Sequence, residues 1–140
     1  MTLPDGYQLL DQFPQADDYR RLRSAAGMAP RSAEAAAQGL PNTLYGVSVL
    51  HDQRTVGMGR VIGDGGCFFI VVDIAVEPEH QGRGLGKSIM SALDAWLRAN
   101  APDSSNVSLI ADGDAKHLYA RFGFADVGPV SVGMDYTVSR

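Results

Sequence analysis

The residues with the clearest chemistry are Gln81-Gly82-Arg83-Gly84-Leu85-Gly86-Lys87-Ser88, between an apolar segment ending at Val76 and an amphipathic stretch beginning at Leu85. Glycines let a backbone approach a ligand closely, and the first free N–H groups of a following helix add donors and the positive end of a dipole. The run therefore reads as a cradle for a pyrophosphate. Counting excludes two familiar occupants. A nucleoside-triphosphate loop needs four residues between its first Gly and the Gly-Lys-Ser, but Gly82 leaves only three before Gly86. A dinucleotide fingerprint started at Gly82 and Gly84 needs a third glycine where Lys87 stands, and started at Gly84 and Gly86 it needs one at Ile89. What remains is Gln81-x-x-Gly84-x-Gly86.

The elements around the cradle follow from periodicity and punctuation. Tyr7 to Leu10 reads as a short strand, Pro14 to Ala26 as a helix ended by Gly27 and Pro30, and Ser32 as the N-cap of an Ala-rich helix reaching Gln38. Leu44 to Leu50 and Thr55 to Ile62 form a hairpin turning at His51-Asp52-Gln53. Cys67 to Val76 is a long, nearly continuous apolar strand of central type, interrupted only by Asp73. After the cradle, Leu85, Ile89, Met90, Leu93, Trp96 and Leu97 recur at helical spacing, with Trp96 expected in the core. Val107 to Ala111 is a further strand, Asp114 caps a brief helix from Ala115 to Phe122 closed by Gly123, and Val130 to Val138 reads as a last strand.

Composition narrows the function classes. With 140 residues, 45% hydrophobic and 20% charged, the chain suits one globular domain. A formal net charge of -4 without a block of Lys or Arg argues against a nucleic-acid partner. Cys67 is the only cysteine, and beside Phe68 and Phe69 it reads as a buried thiol. No signal-peptide pattern opens the chain and no apolar run approaches the roughly 20 residues that cross a bilayer, so a soluble cytoplasmic protein without a membrane partner is expected. His51, His80 and His117 lack ligand spacing, and no metal is expected. The group Arg20, Arg21, Arg23 and Arg31 reads as a solvated helix face.

Taken together, the chain resembles the GNAT superfamily of N-acetyltransferases. Gln81-x-x-Gly84-x-Gly86 matches that family's Gln/Arg-x-x-Gly-x-Gly/Ala signature for coenzyme A, and Leu118-Tyr119 followed by Gly123-Phe124 is similar to its second hallmark. The resemblance covers nearly the whole chain and is specific from about Phe68 to Phe124. It implies an α/β (α+β) fold, the GNAT acyl-CoA N-acyltransferase fold: a central mixed, mostly antiparallel sheet flanked by helices, with splayed central strands, as a single domain over residues 1–140.

The same resemblance implies transfer of acetyl from acetyl-CoA to a primary amine by direct attack in a ternary complex. Ile74, Ala75 and Val76 would pair with the pantetheine arm, the Val76 N–H polarising the thioester carbonyl. Gln81, Gly82, Arg83, Gly84, Leu85, Gly86, Lys87 and Ser88 would receive the pyrophosphate. Tyr119 is the candidate general acid, since a phenol with an ordinary pKa of about 10 is protonated at neutral pH and can protonate a departing thiolate. Lys116, three residues earlier, could touch the cofactor.

Some members carry a basic glutamate on the central strand, but Ile70 occupies that place here. Three candidates remain for the base. Asp73 has the opposite strand alternation unless a bulge shifts the register, and Asp112, seven residues before Tyr119, resembles the arrangement in plant-type arylalkylamine N-acetyltransferases. A water relay is the third. Tyr45, Phe68, Asp73 and Tyr136 could wall an acceptor site, favouring a small cationic or arylalkyl amine as the partner molecule. Family members often dimerise, so a homodimer is an expectation. Two rival readings are a protein lysine or N-terminal acetyltransferase and a non-catalytic acyl-CoA-binding regulatory module.

Overall fold

A computed structural model describes residues 3–140. The backbone gathers into two compact units, Met1–Leu109 and Ile110–Arg140. In the first, β1 (Tyr7–Leu10), α1 (Ala16–Ala25) and α2 (Ala33–Gly39) precede the hairpin β2 (Tyr45–His51) and β3 (Arg54–Gly63). There follow β4 (Phe68–Val76), α3 (Leu85–Asn100) and β5 (Asn106–Ser108). The second unit holds one short helix, α4 (Ala115–Ala120).

The hairpin turn is made by Asp52 and Gln53, both left-handed at φ 51° and 66°. Two consecutive positive φ values match the twist of the flanking strands, which is why a two-residue loop suffices. The sheet runs β1-β2-β3-β4-β5, antiparallel across the first three pairs and parallel between β4 and β5. It is the mixed, mostly antiparallel sheet that the resemblance implies.

Each face of the sheet is covered by helix. The α3 stripe of Leu85, Ile89, Met90, Leu93 and Leu97 is buried, as are Val47 and Val49 of β2. Glycine makes this contact close: a Cβ on Gly59 would lie 2.5 Å from Ile89 Cγ2. On the opposite face Tyr19, Leu22 and Ala36 of α1 and α2 pack with Met58 and Ala75, and Phe13 and Leu40 extend the cluster. Ser32 caps α2 as expected, its Oγ accepting from Ala35 N–H at 3.0 Å.

Several expectations need correction. β5 stops at Ser108 because it pairs with β4 only at Phe68, Phe69 and Ile70. α4 ends at Ala120, and its turn is closed by Gly123 N–H to Ala120 C=O and by Gly123 at φ 95°. Val130–Val138 is not a strand. Its alternation is present, but no described strand pairs with it, and Val130, Met134 and Tyr136 are 94%, 88% and 88% exposed. Trp96 is half-buried rather than core, its indole stacked on the Tyr45 ring with centroids 5.4 Å apart. Cys67 is exposed. Among the described residues no helix is long and apolar enough to cross a membrane.

Candidate functional site

The site starts from a defect in the sheet. Met58 pairs with Ala75 but Arg60 pairs with Val72, so Gly59 alone faces both Asp73 and Ile74. This is a β-bulge, and Asp73 accommodates it at φ 61°. Antiparallel pairing alternates the residues that bond across. Glu77 N–H donates to the Val56 carbonyl at 2.8 Å, so Val76, one residue earlier, turns its N–H and C=O away from β3. On that outer side β4 is paired with β5 only as far as Ile70. The edge of Ile74–Val76 is therefore open among the described strands, which is the splay expected of the central strands.

Beside this edge is a cavity of about 270 Å³. Ile74, Ala75 and Val76 form one wall; Gln81, Gly82, Gly84, Leu85 and Gly86 form the other, with His80 between them. The Gln81 side chain ties the walls together, Nε2 donating to the Val76 carbonyl at 3.0 Å. With that carbonyl engaged, Val76 still offers its N–H on the outer edge.

The cradle fits an anion on its own geometry. Gly82 and Gly84 are left-handed at φ 78° and 82°, and a Cβ built at Gly82, Gly84 or Gly86 meets nothing within 4 Å. Backbone surfaces therefore face open space. Gly84 is the N-cap of the 16-residue α3 and has no side chain to cap it. Ser88 N–H donates to Gly84 C=O at 3.1 Å, so the N–H groups of Leu85, Gly86 and Lys87 precede the helical bonding. Arg83 is exposed and Lys87 half-buried, while Ser88 is buried in α3; none of the three forms part of the cavity wall. Any contact by Arg83 or Lys87 would come from a side chain reaching over the rim.

His80 joins this wall through its neighbours. Its Nδ1 lies 2.6 Å from the Tyr7 hydroxyl, and its ring packs near His51 at 4.9 Å between centroids. β1 thus braces the turn that enters the cradle. The only sequence signal was adjacency to Gln81; the 73-residue separation of Tyr7 and His80 hid the partner.

Asp73 is buried and fully engaged. Its Oδ1 accepts from Arg23 Nη1 at 2.6 Å and from the Tyr19 hydroxyl at 3.2 Å, and Oδ2 accepts from Arg60 Nε at 2.7 Å. Both carboxylate oxygens are thereby held in place by partners from α1 and β3. Burial, then the Asp73 charge, raises the Tyr19 phenol above its usual value, despite opposition from Arg23 and Arg60. Four residues on, buried Glu77 accepts from Arg21 Nη1 at 2.7 Å and from Arg54 Nε at 2.9 Å. Burial alone would raise its pKa, but Arg54 and Arg21 outweigh burial and hold it below the usual carboxylate range. Arg21 and Arg23 are therefore interior partners, not the solvated face expected of them. Arg20 does lie outside, its Nε donating to the Arg31 carbonyl.

The proposed acceptor walls are not brought together in the first unit. Tyr45 packs on α3 through Trp96 and donates to Asp11, whereas Asp73 is held from the opposite face by α1; Phe68 is 62% exposed. The Tyr45 phenol is pushed up to about 12 by burial and by Asp11. A hollow of about 330 Å³ does open between the start of α1 and α2, lined by Phe13, Ala16, Ala36 and Leu40 among others. Tyr136 lies in the second unit and is exposed.

In that second unit Tyr119 is half-buried on α4, its ring 6.4 Å from that of Phe124. Burial and then the negative charge of Asp112 raise its pKa, keeping it protonated well into alkaline solution. Asp112 and Lys116 are exposed. Among the described residues no cluster of three or more His, Cys, Asp or Glu could hold a metal ion.

Residues 44–126 match the family model described as an acetyltransferase (GNAT) domain. An uncharacterised N-acetyltransferase, ycf52, of Gracilaria tenuistipitata var. liui is 24% identical over 127 residues, 88% of this chain and 69% of that protein. The chloroplastic serotonin N-acetyltransferase 2 of Oryza sativa subsp. japonica is 38% identical over 87 residues. That alignment takes in 62% of this chain but only 42% of the rice protein. A crystal structure of a protein of unknown function from meticillin-resistant Staphylococcus aureus is 43% identical with a TM-score of 0.90, covering 94% of this chain and 99% of that one.

Proposed function

The chain belongs to the GNAT family of acetyltransferases, and from that premise we propose that it moves the acetyl group of acetyl-CoA onto the nitrogen of a small primary amine, arylalkyl or cationic. The observation that carries the donor half is the open edge of Ile74–Val76 beside a glycine cradle at the start of α3. The acceptor half is supported by the rice relative, named for serotonin, and by the spacing of Asp112 and Tyr119.

In this reading the thioester supplies the acetyl group, and the protein binds, orients and moves protons. The N–H groups of Leu85, Gly86 and Lys87 and the backbone at Gly82 and Gly84 receive the pyrophosphate. Val76 N–H donates to the thioester carbonyl oxygen, where negative charge grows as the amine nitrogen forms its bond to carbon. As the carbon–sulfur bond breaks, Tyr119 gives its proton to the sulfur. The amine loses one proton to Asp112 or to a water that relays it. Asp73, committed to Arg23 and Arg60, serves shape rather than proton transfer. The cytoplasmic setting belongs to this proposal too, and the chloroplastic name of the rice relative makes cell fractionation its test.

Incubating the protein with acetyl-CoA and a panel of arylalkylamines, polyamines and peptides, while following free thiol, tests the assignment. Amine-dependent thiol release that is greatest for a small amine is expected. Peptides outcompeting every small amine would move the activity to protein substrates. Binding of acetyl-CoA without turnover on any acceptor would make the chain an acyl-CoA-binding module.

A further inference from the structure

We propose that Arg21 and Arg23 of α1, acting with Arg54 and Arg60 of β3, are positioning residues for acyl transfer: they grip the two carboxylates that bracket Ile74–Val76 and hold that edge open for the acyl-bearing arm. The inference rests on reading this edge as the arm's binding site.

The arrangement repeats on either side of the three residues. Before them, Asp73 takes one guanidinium from α1, Arg23, and one from β3, Arg60, at 2.6 and 2.7 Å. After them, Glu77 takes one from α1, Arg21, and one from β3, Arg54, at 2.7 and 2.9 Å. Both carboxylates are buried, at 7% and 6% exposure, so water cannot replace a lost partner cheaply. Guanidinium is planar and donates in fixed directions, so these pairs set angles as well as distances.

What they hold is a conformation the chain would not keep unaided. Asp73 stands at φ 61°, a left-handed setting that costs a residue with a Cβ, and the bulge it makes interrupts the β3–β4 ladder. With Asp73 relaxed to ordinary strand geometry, the register beyond it would shift by one residue and Ile74–Val76 would exchange faces. Val76 N–H would then turn toward β3. The two carboxylates, pulled toward α1 and β3, prevent this and leave the outer edge to a ligand. Arg60 is itself backed by the rings of Phe13 and Tyr19, at 5.5 and 5.8 Å to their centroids.

The test compares two ligands on the full chain: acetyl-CoA, and adenosine 3′-phosphate 5′-diphosphate, which keeps the pyrophosphate and lacks the arm. Calorimetric Kd values are measured for Asp73→Asn, Glu77→Gln and Arg23→Met, with folding followed by circular dichroism. The half-exposed Arg54→Met serves as a variant that does not depend on a buried change. Acetyl-CoA is expected to bind about tenfold more weakly in each, with the nucleotide within about twofold of wild type, because a preorganised edge is lost while the cradle stays. Arg23→Lys should recover part of the loss. Equal weakening of both ligands would show a general structural role and overturn the proposal, as would unchanged acetyl-CoA affinity in folded variants. If wild type binds the nucleotide and not acetyl-CoA, it is the reading of the edge that fails; if it binds neither, the cradle fails as well.

Discussion

Asp73 and Arg23 meet at 2.6 Å inside the protein although 50 residues separate them, and their side chains are 5% and 6% exposed. One lies on a bulged strand and the other on the first helix. Through this contact a helix far from the cradle in sequence fixes the course of the strand leading into it. The contact also explains why the carboxylate that interrupts an apolar strand is tolerated there: it is paired on both oxygens.

Asp73→Ala should therefore destabilise the protein by about 3–5 kcal/mol, since it strands two buried guanidiniums. Asp73→Asn, which keeps the acceptor oxygen and tolerates positive φ, should cost less. Urea denaturation of the two variants checks the order, and equal losses would contradict it.

Gly59→Ala should cost about 1–3 kcal/mol because its methyl would stand 2.5 Å from Ile89 Cγ2 and 3.3 Å from Leu93 Cδ1. Gly86→Ala places its methyl in open space at an ordinary φ, so stability should hold or rise slightly. Thermal melts of the pair separate a packing glycine from a cradle glycine.

Glu77 gives a pH dependence of stability whose sign follows from its depressed pKa. The folded state holds fewer protons than the unfolded one around the ordinary value of 4.5, so the contribution is complete above that value. It is lost as pH falls through the lower folded value. Unfolding free energies from about pH 7 to about pH 3 should fall less steeply in Glu77→Gln than in wild type. Parallel curves would show that Arg21 and Arg54 do not depress it.

Tyr119→Phe should lower kcat by about 10²–10⁴-fold with acetyl-CoA affinity little changed, if the phenol supplies the leaving-group proton. Turnover in wild type should decline only above the usual tyrosine range, because burial and Asp112 both disfavour the phenolate. Asp112→Asn removes the second cause and should move that alkaline limb downward in pH. A kcat profile that is unaltered in Tyr119→Phe would end the acid role.

Much of the local order that neighbours in sequence decide was readable, although Asp114, expected to cap α4, makes no side-chain hydrogen bond to it. The Ser32 cap, the Asp52-Gln53 turn, the α3 stripe and the cradle glycines depend on contacts within a few residues, and each was found where the chain predicts it. The last strand was not, because alternation at Val130–Val138 describes a surface and a strand also needs a ladder partner. The Asp73 bulge stood at the limit. A lone charge in an apolar run marked the position, while its arginines came from elements that no periodicity connects.

From sequence alone came the family and the glycine turn at the start of α3, since both rest on glycines and a Gln at fixed short spacing, where backbone reach sets the geometry. Only the tertiary structure decided that Val76 turns its N–H outward, that Asp73 is a clamp held by Arg23 and Arg60, and that Tyr7 braces His80. Each of those depends on which strand edge or helix face lies opposite, and long-range packing, unlike spacing, leaves no local pattern to read.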